Sequence, residues 1–168
     1  ERCKRPCPGA SVTGWIHGTI VFRKQSGQVS ESNQGFQTAP KLDFAGGNVP
    51  ENAVLTPHPG EMARLLGISV SAVQSDRYHI AKQFAEDFGV TLVLKGSNTL
   101  IATPQGKVYV NLTGNNGMGK GGSGDILAGM IASFLAQGMT TEAAAVTAVY
   151  YHGLIGDKCA EKYSTRAM

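Results

Sequence analysis

Twelve residues, Gly114-Asn115-Asn116-Gly117-Met118-Gly119-Lys120-Gly121-Gly122-Ser123-Gly124-Asp125, leave the chain few folds to choose from. Six of the twelve are glycine, so this backbone can take positive φ and lie flush against a ligand. Directly afterwards Ile126, Leu127, Met130, Ile131, Phe134 and Leu135 recur at helical spacing, the apolar face of a helix expected over Asp125–Gln137. A glycine-rich turn that opens a helix directs free N–H groups and the positive end of the helix dipole at one place, a setting suited to phosphate. Asp125 falls in the first turn, where an ionised carboxylate is favoured. An anion cradle with a carboxylate beside it can hold a phosphoryl group and deprotonate whatever attacks it.

Two generic motifs overlap this stretch, and the context argues against both. Gly119-Lys120-Gly121-Gly122-Ser123-Gly124 fits G-x-G-x-x-G, but the dinucleotide fingerprint needs a βαβ unit. Here the helix leads into Thr140–Tyr151, which is Ala-rich and reads as another helix. Gly114–Gly121 comes within one residue of a Walker A loop, yet Gly121 occupies the Ser/Thr position and removes the hydroxyl that would meet Mg²⁺.

Upstream, Trp15–Phe22 has the β-branched and aromatic content of one strand, and Arg23–Lys41 is polar with little to bury, which reads as loop. Residues 1–41 therefore form an atypical loop and strand segment ahead of a patterned domain over 42–168. Cys3, Cys7 and His17 have poor spacing for a metal and lack a fourth ligand. Ala53–Thr56 reads as a short buried strand, stopped by Pro57-His58-Pro59-Gly60 and followed by a helix over Glu61–Leu66 that Gly67 closes. His58 sits between two prolines at a strand end, in the kind of rigid loop that carries sites in α/β sheets.

Ser71–Phe88 reads as one helix closed by Gly89, with His79 beside its apolar stripe in a structural or solvated role. Thr91–Leu94 is a continuous apolar run, the pattern of a parallel strand buried on both faces. It leads into Lys95-Gly96-Ser97-Asn98-Thr99, a lysine and glycine where α/β proteins place ligands. Leu100–Thr103 and Lys107–Asn111 form a hairpin around Pro104-Gln105-Gly106. Gly138 ends the helix after the glycine loop, and Thr140 or Thr141 caps a last helix reaching about Lys162. On it Tyr150, Tyr151 and His152 read as core or interface, and Asp157 and Cys159 have no assignable partner.

Composition closes off several classes. The 168 residues suit one domain, and 42% hydrophobic with 16% charged residues fits a globular core. Net charge is +3 and no basic run exceeds two residues, so no nucleic-acid footprint is present. No apolar run approaches the ~20 residues of a membrane span, and the first residues lack the apolar core of a signal peptide. Three cysteines suit a reducing compartment, so a cytoplasmic setting is expected.

The chain resembles the NAD(P)H-hydrate dehydratases of the ribokinase-like superfamily over about residues 42–168. Asn52–Leu66 with Thr56-Pro57-His58-Pro59-Gly60-Glu61, Val93–Thr99, Gly114–Gly129, and Tyr151-His152-Gly153 carry the likeness in order. The resemblance implies an α/β fold, a mostly parallel sheet flanked by helices. Family members carry a longer N-terminal half, so a domain incomplete on that side is expected. It also implies that hydrated NADH or NADPH is dehydrated with ADP or ATP as phosphoryl donor and Mg²⁺ on the nucleotide. Asp125 would be the general base and also contact substrate, Gly122, Ser123 and Gly124 the anion hole. Lys95, Gly96, Ser97, Asn98, Thr99 and Gly124 would hold the nucleotide, and His58 would contact the substrate. Two alternatives stand beside this: a ribokinase-like small-molecule kinase, and a non-catalytic nucleotide-binding fragment. ADP against ATP, NADH hydrate against NADPH hydrate, and the oligomeric state, a homo-oligomer included, stay open.

Overall fold

Alternation along three short strands decides which helices lie on which side of the sheet. The computed structural model describes residues 10–16 and 19–24 by their backbone and residues 53–167 in full. Every residue of β3 (Ala53–Leu55), β4 (Thr91–Leu94) and β5 (Leu100–Ala102) is buried, whichever face it points to. Leu55, Leu92, Leu94 and Leu100 join Met62, Val73 and Phe84 in one core, under α1 (Pro59–Leu66), α2 (Val70–Ser75) and α3 (Arg77–Phe88). Val54, Val93 and Ile101 join Leu127, Ile131, Ala144 and Ala148 in a second core, under α4 (Ser123–Ala136) and α5 (Thr141–Tyr163). A period of two thus accounts for both layers.

The strands stand in the order β1 (Ala10–Ile16), β2 (Thr19–Lys24), β3, β4, β5, β6 (Val108–Val110). The expected strand over Trp15–Phe22 is instead the meeting of two: β1 and β2 pair antiparallel on either side of residues 17–18. β2 runs antiparallel to β3, and β3 parallel to β4 through α1–α3. β4, β5 and β6 are antiparallel. The sheet is therefore α/β with helices on both faces, as expected, but mixed rather than mostly parallel. The reason is connection length. A parallel return needs about a dozen residues or more, and only Lys95–Thr99 separates β4 from β5.

The helix expected over Ser71–Phe88 is two helices. Asp76 leaves the helical region (φ −145°, ψ 57°), and its carboxylate accepts the His79 N–H at 3.3 Å and lies 2.7 Å from His79 Nδ1. Ser69 caps α2 in the same way, accepting the Ala72 N–H. Ser and Asp offer the backbone such local partners, which is why they interrupt helices. Gly67 and Gly89 close α1 and α3 in left-handed conformation (φ 67° and 63°), and Thr140 caps α5, all as the sequence predicts. The α4 helix opens at Ser123, two residues before the expected start. No helix among the described residues is long and apolar enough to cross a membrane. Of the loop expected over Arg23–Lys41, Arg23 and Lys24 instead end β2, and its remainder, with Cys3, Cys7 and His17, lies outside the described residues.

Candidate functional site

The carboxyl ends of the parallel pair β3–β4 are stitched together where the Lys95 N–H donates to the Pro57 carbonyl (2.9 Å). His58 follows Pro57 and caps α1: its Nδ1 accepts the N–H groups of Gly60 (3.0 Å) and Glu61 (3.2 Å). Two donors on Nδ1 assign the remaining proton of the neutral ring to Nε2, and the side chain is 51% exposed. A Cβ on Gly60 would stand 2.9 Å from the ring carbon Cε1, so glycine is needed there for the cap to close. Glu61 completes a capping box, accepting the His58 N–H at 2.6 Å.

Glu61 is 5% exposed, and its Oε2 lies 3.6 Å from Lys95 Nζ. A buried carboxylate needs such partners. Its place three residues after the capping histidine is the only sequence signal that could have singled it out. The Lys95 ammonium in turn lies against the start of α4, since a Cβ built on Gly124 would be 3.4 Å from Nζ. His58, Lys95 and Gly124, expected together as site residues, are therefore neighbours through Glu61.

Lys95–Thr99 wraps around Arg77, a residue that sequence reasoning passed over. Its Nη1 donates to the Ser97 carbonyl (2.5 Å) and its Nη2 to that of Leu94 (3.1 Å), with the Asn98 and Lys95 carbonyls at 3.4 and 3.5 Å. Burial pulls the guanidinium pKa below its usual value. Gly96 has φ 146° and Asn98 φ 53°, turning the carbonyls inward. The Thr99 hydroxyl closes the turn on the Gly96 carbonyl (3.1 Å).

The glycine loop is held from below by α5. Asp157, without an assigned partner in the sequence, accepts the Gly114 N–H (2.8 Å) and the Asn115 amide (3.0 Å). The Gly114 N–H first, then Asn115, hold its carboxyl below the usual range. A Cβ on Gly153 would come within 2.7 Å of the Thr113 carbonyl group, and one on Gly156 within 2.8 Å of Met118 Cγ. Two missing side chains one turn apart on α5 thus form the notch that seats Thr113–Met118.

Gly122 (φ 88°) opens α4 with no side-chain cap, and its carbonyl takes the N–H groups of Asp125 and Ile126 (3.1 Å each). Ser123 N–H leans on the Lys120 carbonyl at 3.4 Å. Among the described residues the N–H groups of Gly122 and Gly124 have no partner, so two open donors and the Lys95 ammonium share one corner. Asp125 is exposed in the first turn, with no hydrogen bond or ion pair on its carboxylate among the described residues. His152, expected in core or interface, instead stands behind this loop, Nε2 3.4 Å from Ser123 Oγ. Burial holds its pKa below the ordinary histidine value.

Comparison with known proteins gives this geometry its relatives. The sequence model of the NAD(P)H-hydrate dehydratase family matches residues 43–168. A bifunctional NAD(P)H-hydrate repair enzyme of Moorella thermoacetica is 50% identical over 115 residues, 68% of this chain and 22% of that protein. An ADP-dependent (S)-NAD(P)H-hydrate dehydratase of Neisseria meningitidis is 48% identical over 107 residues, 64% of this chain and 36% of that protein. Among solved structures, the ADP/ATP-dependent NAD(P)H-hydrate dehydratase of Bacillus subtilis, co-crystallised with ATP and Mg²⁺, superposes with TM-score 0.66 at 39% identity. It is matched over 68% of this chain and 43% of its own. A ribokinase-like superfamily protein of Enterococcus faecalis superposes with TM-score 0.61 at 39% identity, over 70% of this chain and 42% of its own. The fold is ribokinase-like, and the chain spans between about a fifth and less than half of the length of these relatives.

Proposed function

Because the chain belongs to the NAD(P)H-hydrate dehydratase family, we propose that residues 42–168 form a ribokinase-like dehydratase domain that returns hydrated NADH or NADPH to the reduced cofactor, using ADP or ATP. The observation that carries this reading is the corner where Lys95 Nζ meets the first turn of α4 at Gly124, directly before Asp125. A cation, two open N–H donors and an uncommitted carboxylate are what phosphoryl transfer to a hydroxyl requires.

Asp125 takes the proton from the hydrate hydroxyl as that oxygen bonds to the terminal phosphorus and the bridging oxygen leaves with the nucleotide. The N–H groups of Gly122 and Gly124, with Ser123 if its weak turn bond opens, receive the charge on the phosphoryl oxygens. Phosphate then departs from the ring carbon, a proton leaves the neighbouring carbon, and the double bond returns. Lys95, Gly96, Ser97, Asn98, Thr99 and Gly124 hold the nucleotide. His58 offers the exposed side of its ring to the nicotinamide side of the substrate, Nδ1 being committed to the cap and Nε2 lying 3.4 Å from Glu61 Oε1.

Among the described residues no group of three or more His, Cys, Asp or Glu side chains could hold a metal. Mg²⁺ would sit on the nucleotide phosphates, where it offsets their charge. The kinase alternative is not favoured, since the relatives near 50% identity are repair enzymes and dehydratases. The setting is cytoplasmic, in keeping with the three cysteines.

The test is absorbance at 340 nm with hydrated NADH, Mg²⁺ and either ADP or ATP. The expected outcome is a rise that Asp125→Asn cuts by roughly 10²- to 10⁴-fold. No rise, with nucleotide still raising the melting temperature, would leave a phosphate cradle without turnover.

A further inference from the structure

We propose that Arg77 is a positioning residue for the nucleotide, acting through the Lys95–Thr99 loop that it braces from beneath. The nature of the ligand rests on the dehydratase reading; the bracing rests on geometry alone. The break at Asp76 places Arg77 first in α3, so its side chain starts at a helix end rather than mid-face. Its two terminal nitrogens then reach the carbonyls of Leu94 and Ser97, with those of Lys95 and Asn98 within 3.5 Å.

With its carbonyls drawn onto one cation, the loop leaves Gly96, Ser97 and Asn98 exposed on its outer side. Gly96 is the closest approach: a Cβ there would stand 3.0 Å from Nη2. Nε is buried without a partner, a cost that would be avoided by any residue with no function for its fork. A lysine offers one compact ammonium on a flexible stem and cannot span carbonyls on both sides of the loop as a planar guanidinium does. The same loop delivers Lys95, whose Nζ meets Gly124, so a loop that slackens also withdraws the cation from the phosphate corner.

The experiment compares the wild-type chain with Arg77→Lys by hydrogen exchange, by calorimetric binding of ADP and ATP, and by the 340 nm assay. Arg77→Met, which removes the donors while burying no charge, replaces the lysine variant if that one melts early. We expect cooperative melting close to wild type, with amides of residues 95–99 exchanging about tenfold faster while those of β4 keep their protection. Nucleotide Kd and KM should rise about tenfold with the hydrate KM unchanged, because a small misplacement of binding groups is costly. Unchanged loop exchange overturns the proposal, as does faster exchange with unchanged nucleotide affinity. Nucleotide and hydrate KM rising together would mark a general structural role and overturn it too. If the wild type binds neither nucleotide, the dehydratase reading falls and takes this role with it. If wild type and variant bind equally well, only the role of Arg77 falls.

Discussion

Two loops meet at the α4 N-terminus, and they are held in opposite ways. The Lys95–Thr99 loop turns its carbonyls onto a half-buried cation, Arg77. The glycine loop turns an N–H onto a carboxylate, Asp157, and rests its backbone in a notch where Gly153 and Gly156 carry no side chain. The first loop is braced by charge from the helix layer on one face of the sheet, the second by shape and charge from the layer on the other. A phosphate corner assembled from both therefore depends on two packing layers that share only the sheet between them. A loop held by a fork of donors tolerates changes in the packing around it better than a loop held by the absence of a methyl group.

The largest effect should come from filling the notch. Gly153→Ala sets a Cβ against the Thr113 backbone, which cannot swing away, and is expected to cost about 1–3 kcal/mol in denaturant unfolding. Gly156→Ala, facing the flexible end of Met118, should cost clearly less. Next, Asp76→Ala removes the cap that starts α3 and should lower the denaturant midpoint by less than Gly153→Ala does. It should also loosen the Lys95–Thr99 loop without touching exchange in the glycine loop. The double variant Gly153→Ala/Asp76→Ala sharpens the comparison: the two costs should add to within about 0.5 kcal/mol. A larger coupling would mean that the two loops form one unit.

Asp157→Asn keeps the shape but loses the charge, and amide exchange at Gly114 should quicken by roughly tenfold or less. Because the folded carboxyl lies below its ordinary 3.8, this contribution is complete above that value and fades as pH falls through the folded pKa. The smallest effect belongs to His152. Its folded pKa lies below the ordinary 6.5, so the unfolded chain takes up the proton first and stability declines as pH drops below that value. His152→Gln should flatten the melting temperature between about pH 8 and about pH 5 relative to wild type; an unchanged slope would place the titration elsewhere.

What the chain spells locally, it spells clearly. The short buried strands β3, β4 and β5, the closing glycines 67 and 89, and the helix after Gly122 all follow from spacing and composition. The break at Asp76 escaped because the apolar stripe from Val73 to Phe88 keeps helical spacing across it. Ser75-Asp76 was the signal, a pair of capping residues inside a periodic run. The mixed sheet was hidden by burial: a strand covered on both faces reads as apolar throughout whether its neighbour runs with it or against it. Of the candidate site, the ligand-facing loops were legible and their supports were not. Arg77 and Asp157 act on carbonyls and amides that are distant in sequence, and backbone groups leave no mark in the sequence of side chains.

The seat of the glycine loop also bears on the order in which the molecule can be completed. Gly114 and the carboxylate that fastens it are 43 residues apart, and the seat itself spans the middle of α5. A ribosome that has released the strands and both binding loops still holds the segment that gives the glycine loop its shape. The sheet can form ahead of the cradle, but the cradle has to wait for α5. Nascent chains that stop short of that helix would fold a sheet and yet present no finished phosphate corner.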